Sequence, residues 1–274
     1  MSATVRGGGE SVLETLSLTR RFGPLTAVDE LTISVEPGEI FGLVGPNGAG
    51  KTTVIKMLTT LLPPTSGNAS VAGYDIVRHP GKVRQVIGYV PQLISADGSL
   101  SGYENLLIFA KLYGIPRAER EQRIRETLNF VGLAEVADKL VRNYSGGMIR
   151  RLEIAQSVLH RPRVLFLDEP TVGLDPVARK AVWEHIQRLR ADYGTTIFFT
   201  THYMDEADMM CSRVAIMHLG KVAAIGTPAQ LKASIGGNAT TLDDVFSHYT
   251  GYEIESGASY KETSRTRRAA QRLG

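Results

Sequence analysis

The stretch Gly42-Leu43-Val44-Gly45-Pro46-Asn47-Gly48-Ala49-Gly50-Lys51-Thr52-Thr53 limits the possible folds more than any other part of this chain. It follows the apolar pair Ile40-Phe41 and leads into Val54-Ile55-Lys56-Met57-Leu58, a helix-forming run. Strand, glycine-rich loop and helix in that order gather backbone N–H groups at a helix N-terminus, which makes an anion site. The spacing Gly45, four residues, Gly50, Lys51, Thr52 is that of a phosphate-binding loop. In such a loop Lys51 reaches the β- and γ-phosphates of a nucleotide, and the Thr52 hydroxyl holds Mg²⁺. An ordinary strand–turn–helix corner is the bland alternative, and the strand before and the helix after weigh against it. The loop points to a nucleotide and leaves its purpose open.

A chain of 274 residues has room for one large domain or two small ones. Hydrophobic residues at 43% and charged residues at 22% fit an ordinary soluble globular protein. A net charge of +3 is too small to draw nucleic acid by bulk electrostatics, so no nucleic-acid partner is expected. The single cysteine, Cys211, rules out an internal disulfide framework and suits a reducing compartment. Its neighbours Met209-Met210 and Ser212 offer no second thiol, so packing is its expected role. The first ten residues contain no apolar core of leader length. No run of apolar residues is long enough to cross a membrane, so any membrane role has to come through a partner.

Residues 1–10 read as a flexible tail, and 11–235 as one α/β domain. Alternation at Leu16-Ser17-Leu18 and Leu31-Thr32-Ile33-Ser34-Val35 predicts two strands ahead of the phosphate loop, with further strands at Ala69–Val71 and Val86–Val90. From about residue 93 to 160 the pattern is mainly helical, with runs at Tyr103–Tyr113 and Pro116–Val131. Arg163–Leu167 and Thr195–Thr200 are apolar strands of the kind buried in a parallel sheet, and a helix is expected over Pro176–Asp192. Val214–Met217 and Lys221–Ile225 read as a hairpin. Residues 236–274 form a C-terminal extension whose last part, from Arg265-Thr266-Arg267-Arg268, reads as a solvated basic tail, with anionic lipid as the alternative contact.

Val164-Leu165-Phe166-Leu167-Asp168-Glu169 ends a buried strand in adjacent carboxylates, at the strand end where α/β proteins carry their chemistry. Asp168 can complete a Mg²⁺ site through the metal's water shell. Glu169 points elsewhere and can accept a proton from the water attacking a γ-phosphate. Tyr144-Ser145-Gly146-Gly147-Met148 opens another helix, with Ser145 an apt N-cap. A cap does not need glycines behind it, because they weaken a first turn; they leave amides bare at the positive end of the helix dipole. The chain therefore has a second candidate anion site.

With these residues in place, the sequence resembles the ATP-binding-cassette (ABC) ATPase family. The phosphate loop, Gln92 after a strand, Ser145-Gly146-Gly147, Asp168-Glu169, Gly173-Leu174-Asp175 and His202 occur in the family's order, and the resemblance spans Leu16 to Thr227. It implies a P-loop NTPase core with an N-terminal antiparallel β region and an inserted helical subdomain. It also implies ATP and Mg²⁺ as ligands. Two copies would pack head to tail, each ATP lying between one copy's phosphate loop and the other's Ser145-Gly146-Gly147 helix. By the same resemblance, Gln92 would touch Mg²⁺ and the attacking water, His202 the γ-phosphate and Glu169, and Asp175 the second copy. Phe22 stands where the family stacks an aromatic ring on adenine; from spacing alone, core packing stays open. Tyr144 and Met148 depart from the commonest signature, in which Leu and Gln hold those places, but neither replaces the serine or the glycines.

The interval from Lys51 to Ser145 is too short for the coiled-coil insertion of chromosome-maintenance ABC proteins, and one cassette per chain excludes the translation-factor type. Gly102-Tyr103-Glu104-Asn105-Leu106 looks like the transporter version of the segment that receives a membrane subunit. Leu242-Asp243-Asp244-Val245-Phe246 resembles the C-terminal segment of daunorubicin-resistance-type exporter ATPases. The resemblance thus implies the ATPase of an exporter of a drug, lipid or other amphipathic cargo. It would lie peripherally on the cytoplasmic face of the cell membrane, with a separate transmembrane permease subunit and a second copy of itself as partners. A soluble accessory ATPase of the iron–sulfur-assembly type is the alternative.

Overall fold

Gly23-Pro24 closes a two-residue turn between β1 (Leu13–Phe22) and β2 (Leu25–Val35), so that Phe22 pairs with Leu25. The chain continues through β3 (Ile40–Val44), α1 (Lys51–Leu58), β4 (Ser66–Val71), β5 (Tyr74–Asp75), α2 (Pro80–Val86) and β6 (Ile87–Val90). Three helices follow: α3 (Gly102–Leu112), α4 (Arg117–Phe130) and α5 (Gly146–Val158). The remainder is β7 (Val164–Asp168), α6 (Pro176–Tyr193), β8 (Thr196–Thr201), α7 (Met204–Met210), β9 (Arg213–His218), β10 (Lys221–Gly226), α8 (Pro228–Ser234) and α9 (Leu242–Thr250). The computed structural model describes residues 11–236 and 241–251. The expected tails at 1–10 and beyond Arg265 lie outside the described residues.

An antiparallel sheet in the order β2-β1-β4-β5 lies over a six-stranded sheet in the order β10-β9-β3-β8-β7-β6. In the second sheet β9, β3, β8, β7 and β6 run parallel, and β10 closes the edge as the antiparallel arm of a hairpin. Every residue of β3, β7 and β8 is buried, because helices or the other sheet cover both faces. Phe41, Phe166 and Phe198 join α1 and the antiparallel sheet in one core cluster. Burying each ring contributes about 1.5–3 kcal/mol, which fixes the strands as a rigid platform. Val182, Trp183, Ile186 and Leu189 of α6 cover the opposite face. Cys211 packs against that cluster, and a Cβ at Gly42 would come within 2.5 Å of its sulfur. Burial pushes the Cys211 thiol well up, in keeping with a packing role.

Helices α3, α4 and α5 form their own core around Leu106, Ile124, Leu128 and Leu152. Ser101 and Glu104 make a capping box at the start of α3. The Tyr144 hydroxyl donates to the Val136 carbonyl at 2.7 Å, and a Cβ at Gly102 would strike it. Tyr144 and Gly102 therefore fit only as a pair. Leu242, Val245 and Phe246 of α9 pack on α7 and β9, so the residues expected to begin an extension are seated on the core.

Three readings of the sequence change. Val86 ends a helix instead of starting a strand, and the sequence pattern showed neither α7 nor α8. All three helices have only seven residues, too few for a 3.6-residue period to stand out.

Candidate functional site

Because five strands run parallel, β3, β6, β7 and β8 deliver their C-terminal ends to one edge of the sheet. The phosphate loop leaves β3, Gln92 follows β6, Asp168 and Glu169 end β7, and His202 follows β8. The loop is pressed against its surroundings. A Cβ at Gly45 would lie 2.1 Å from the Met217 carbonyl oxygen, and one at Gly50 would lie 2.3 Å from that of Ala27. Gly50 has φ +106° and is the N-cap of α1, so its glycine is required by both space and backbone. The strand pairing and these contacts hold the N–H groups of Gly50 to Thr53 at the helix N-terminus.

Lys51 is only 4% exposed. Its Nζ donates to the carbonyls of Gly45 (2.7 Å) and Pro46 (3.0 Å) and lies 3.4 Å from Oε1 of Glu169. Burial pulls its pKa down against the two carboxylates that raise it. Thr52 Oγ1 donates to Asp168 Oδ1 at 3.1 Å, and Thr200 Oγ1 donates to the same oxygen at 2.6 Å. Gln92 Nε2 donates to Glu169 Oε2 at 2.9 Å, and Nδ1 of His202 is 3.3 Å from Oε1. Glu169 is thus gripped by Lys51, Gln92 and His202 at once. Its backbone sits at φ +48°, in the left-handed region unusual for a non-glycine, and its N–H is held by the Thr200 hydroxyl at 3.0 Å.

The adjacent carboxylates are shifted in opposite directions from their ordinary values of 3.8 and 4.5. Burial raises Asp168 more than the hydrogen bonds from Thr200 and Thr52 lower it. At Glu169 burial also acts upward, but the hydrogen bond with His202 and the charge of Lys51 together outweigh it and hold the carboxyl below its usual range. The Thr52 hydroxyl, the Asp168 carboxylate and the nearby Gln92 amide are hard oxygen donors of the kind Mg²⁺ takes.

The structure therefore brings together Lys51, Thr52, Gln92, Asp168, Glu169 and His202. It sets the other expected residues apart. Ser145 caps α5 by accepting from Met148 N–H, and both Ser145 and Gly146 are exposed. Gly147 is buried against Ala178 of α6, where a Cβ would come within 2.7 Å, so its lack of a side chain has a packing cause. Asp175 caps α6, accepting from the N–H groups of Val177 and Ala178, both at 2.9 Å. Gly146 lies beside Leu174, so the starts of α5 and α6 share one exposed face. Phe22 is 44% exposed with the Arg20 guanidinium 4.7 Å from its ring centre, and so it does not pack in the core.

Sequence reasoning missed Thr200, which steadies both acids, and Glu206. The buried Glu206 carboxylate accepts from Thr171 and Thr201, tying the segment after Glu169 to the residue before His202. The signal for Thr200 was a hydroxyl interrupting an apolar strand beside the acidic one.

The family model for the ABC transporter matches residues 28–172. The chain belongs to the ABC transporter family. It is 44% identical over 230 residues to the daunorubicin/doxorubicin resistance ATP-binding protein DrrA of Streptomyces peucetius, covering 84% of this chain and 69% of that one. To the linearmycin resistance ATP-binding protein LnrL of Bacillus subtilis it is 40% identical over 227 residues, or 83% and 73% of the two chains. A solved ATP-binding subunit of an ABC transporter superposes with a TM-score of 0.78 at 30% identity, covering 88% of this chain and all of the other. The ABC ATPase fold expected from the sequence is the fold observed. ATP hydrolysis is the family's activity, and this chain is an ABC ATPase of the kind found among drug-resistance exporters.

Proposed function

We propose that this ABC ATPase is the ATP-hydrolysing subunit of an exporter. Two copies sandwich ATP and drive a separate transmembrane permease that moves a drug, lipid or other amphipathic cargo. It works at the cytoplasmic face of the membrane, held there by that permease; among the described residues no helix is long and apolar enough to cross a membrane. The observation that carries the reading is the cluster of Lys51, Gln92, Asp168, Glu169 and His202 at the edge of the parallel sheet, with Ser145 and Gly146 displayed on a separate face.

In this reading the N–H groups of Asn47, Gly48 and Gly50 to Thr53 and the Lys51 ammonium bind the β- and γ-phosphates of ATP. Thr52, Asp168 and Gln92 hold Mg²⁺, which when bound offsets the negative charge on the phosphates. Glu169 takes the proton of the attacking water, while Gln92 and His202 aim its two oxygens. When Lys51 turns from Glu169 to a phosphate, the carboxylate loses a cation that holds its pKa down and becomes the stronger base. Ser145 and Gly147 serve the ATP of the second copy, Asp175 lies in the shared interface, and the exposed Phe22 is free to stack on adenine.

Leu93 and Ile94, directly after Gln92, are 79% and 65% exposed. Two bare apolar side chains next to the catalytic edge favour a docked partner over a solitary accessory ATPase. Glu104 is occupied in the capping box of α3, so reversing its charge would damage the helix. The better probe is Leu93→Ser with Ile94→Ser. In the assembled transporter this variant should lose transport while the isolated chain keeps its ATPase rate. Equal loss of both would place these residues in the fold or the catalytic site and remove the support for a permease.

A further inference from the structure

The helix that begins at Ser145 also grips the loop that carries Gln92. Arg150 of α5 donates from Nη1 to the Pro91 carbonyl at 2.7 Å and from Nη2 to the Gln92 carbonyl at 3.2 Å. One turn on, Glu153 accepts from the Ser95 N–H at 2.5 Å and from its hydroxyl at 3.1 Å, and pairs with Arg150 at 3.1 Å. Further along, Gln156 donates to Asn105 Oδ1, whose amide in turn holds the backbone of Asp97 and Ser101. Arg150, Glu153, Gln156 and Asn105 are all at most 6% exposed. A buried guanidinium needs a compensating acid and filled donors, and here both are supplied for the sake of two consecutive backbone carbonyls.

We propose that Arg150 and Glu153 are positioning residues that fasten the Gln92–Ser95 loop to the signature helix, so that both move as one body. The inference rests on the roles proposed above for Gln92 and Ser145. A partner pressing on Leu93 and Ile94 then shifts Gln92, at this copy's ATP, together with Ser145, at the second copy's ATP. Each membrane contact is thereby delivered to both nucleotides. The clamp reads only main chain between Pro91 and Ser95, apart from the Ser95 hydroxyl, which leaves the side chains of Leu93 and Ile94 free for the partner.

The test is a cycle of Arg150→Lys, Gln92→Ala and the double variant in the full chain, measuring kcat, KM and equilibrium binding of a fluorescent ATP analogue. Lysine keeps the charge opposite Glu153 but lacks the fork that spans two carbonyls. Arg150→Lys should lower kcat about tenfold to a hundredfold, the scale of a misplaced catalytic group, with analogue binding unchanged. In the Gln92→Ala background it should lower kcat no further. Hydrogen exchange should quicken over residues 92–97 and stay the same through the middle of α5. Multiplicative effects in the double variant, or faster exchange along all of α5, would show a merely structural residue and overturn the proposal. A silent Gln92→Ala would instead refute the role given to Gln92, and with it this inference, a result distinct from failure of the clamp.

Discussion

Two helices of this chain begin among glycines, α1 at Gly50-Lys51 and α5 at Ser145-Gly146-Gly147, and their surroundings are opposite. At α1 the lysine is buried against Glu169, which Gln92 and His202 also hold, and Gly50 supplies no side-chain cap. At α5 the serine caps its own helix, and Ser145 and Gly146 face outward. One chain thus builds the α1 end from its own residues and leaves the α5 end open. In the proposed head-to-tail pair, the α1 end of each copy and the α5 end of the other would together enclose one ATP.

The largest expected effect separates chemistry from binding at the α1 end. Glu169→Gln preserves size and hydrogen bonding but removes the base, so kcat should fall about 10²- to 10⁴-fold. ATP and Mg²⁺ should still bind, and gel filtration should show an ATP-dependent dimer that wild type forms only transiently. A variant that turns over normally, or stays monomeric at saturating ATP, would contradict both the assignment of Glu169 and the pairing of the α1 end with another copy's α5 end.

Next in size is the contrast between Lys51→Ala and Ser145→Arg. Loss of a charge-assisted contact should weaken ATP binding to the monomer roughly tenfold to a hundredfold for Lys51→Ala. Ser145→Arg should leave that binding unchanged and abolish the dimer in the Glu169→Gln background, because it sets a bulky cation in the interface. Equal weakening by both would mean that the two helix ends serve one site within one chain.

The glycines sharpen the same comparison at smaller cost. Gly45→Ala forces a methyl onto the Met217 carbonyl and should cost about 1–3 kcal/mol in urea unfolding. Gly146→Ala meets only Leu174 at 3.7 Å and should be neutral or gain up to about 1 kcal/mol from helix propensity. It should nonetheless impair the ATP-dependent dimer. Comparable destabilisation by the two would mean that the α5 terminus is as closed as the α1 terminus.

The α1 site was legible in part because some of its chemistry sits in short local patterns, a loop spacing and an acidic pair closing an apolar run, whereas Gln92 and His202 were expected only through the family resemblance. What joins these residues was not legible. Thr200 reaches Asp168 across neighbouring strands, and Arg150 reaches Pro91 and Gln92 from a helix far along the chain, contacts that only the folded topology creates. The α5 end stays an expectation of another kind. Gly147 looked like a bare amide and proved to be a close packing point against Ala178, so its glycine alone could not have decided its role. Asp175, expected at the interface, also caps its own helix, and both duties are open to an exposed aspartate. For Phe22 the two possibilities, core or surface, separated only once the ring was seen to be 44% exposed.

The smallest effect is a pH dependence confined to the α1 end. Glu169 is held below its ordinary carboxylate range, burial being outweighed by His202 and Lys51. As pH falls from its ordinary value of 4.5 toward its folded pKa, the unfolded chain takes up the proton first, so this group's contribution to stability is lost. Asp168 is raised above 3.8, chiefly by burial, so there the folded chain takes the proton first and gains stability on acidification. The two slopes oppose each other over the same acid window. Glu169→Gln removes the first; Asp168 stays raised because burial, its larger cause, remains. Unfolding free energies from urea titrations between about pH 3.5 and 5.5 should therefore fall less steeply in Glu169→Gln than in wild type, by at most about 1.4 kcal/mol per pH unit. Ser145→Arg, at the other helix end, should keep the wild-type slope. A Glu169→Gln protein with an equal or steeper slope would show that Lys51 and His202 do not hold this carboxylate down. The electrostatic half of the contrast between the two helix ends would then fail, even if the steric half stood.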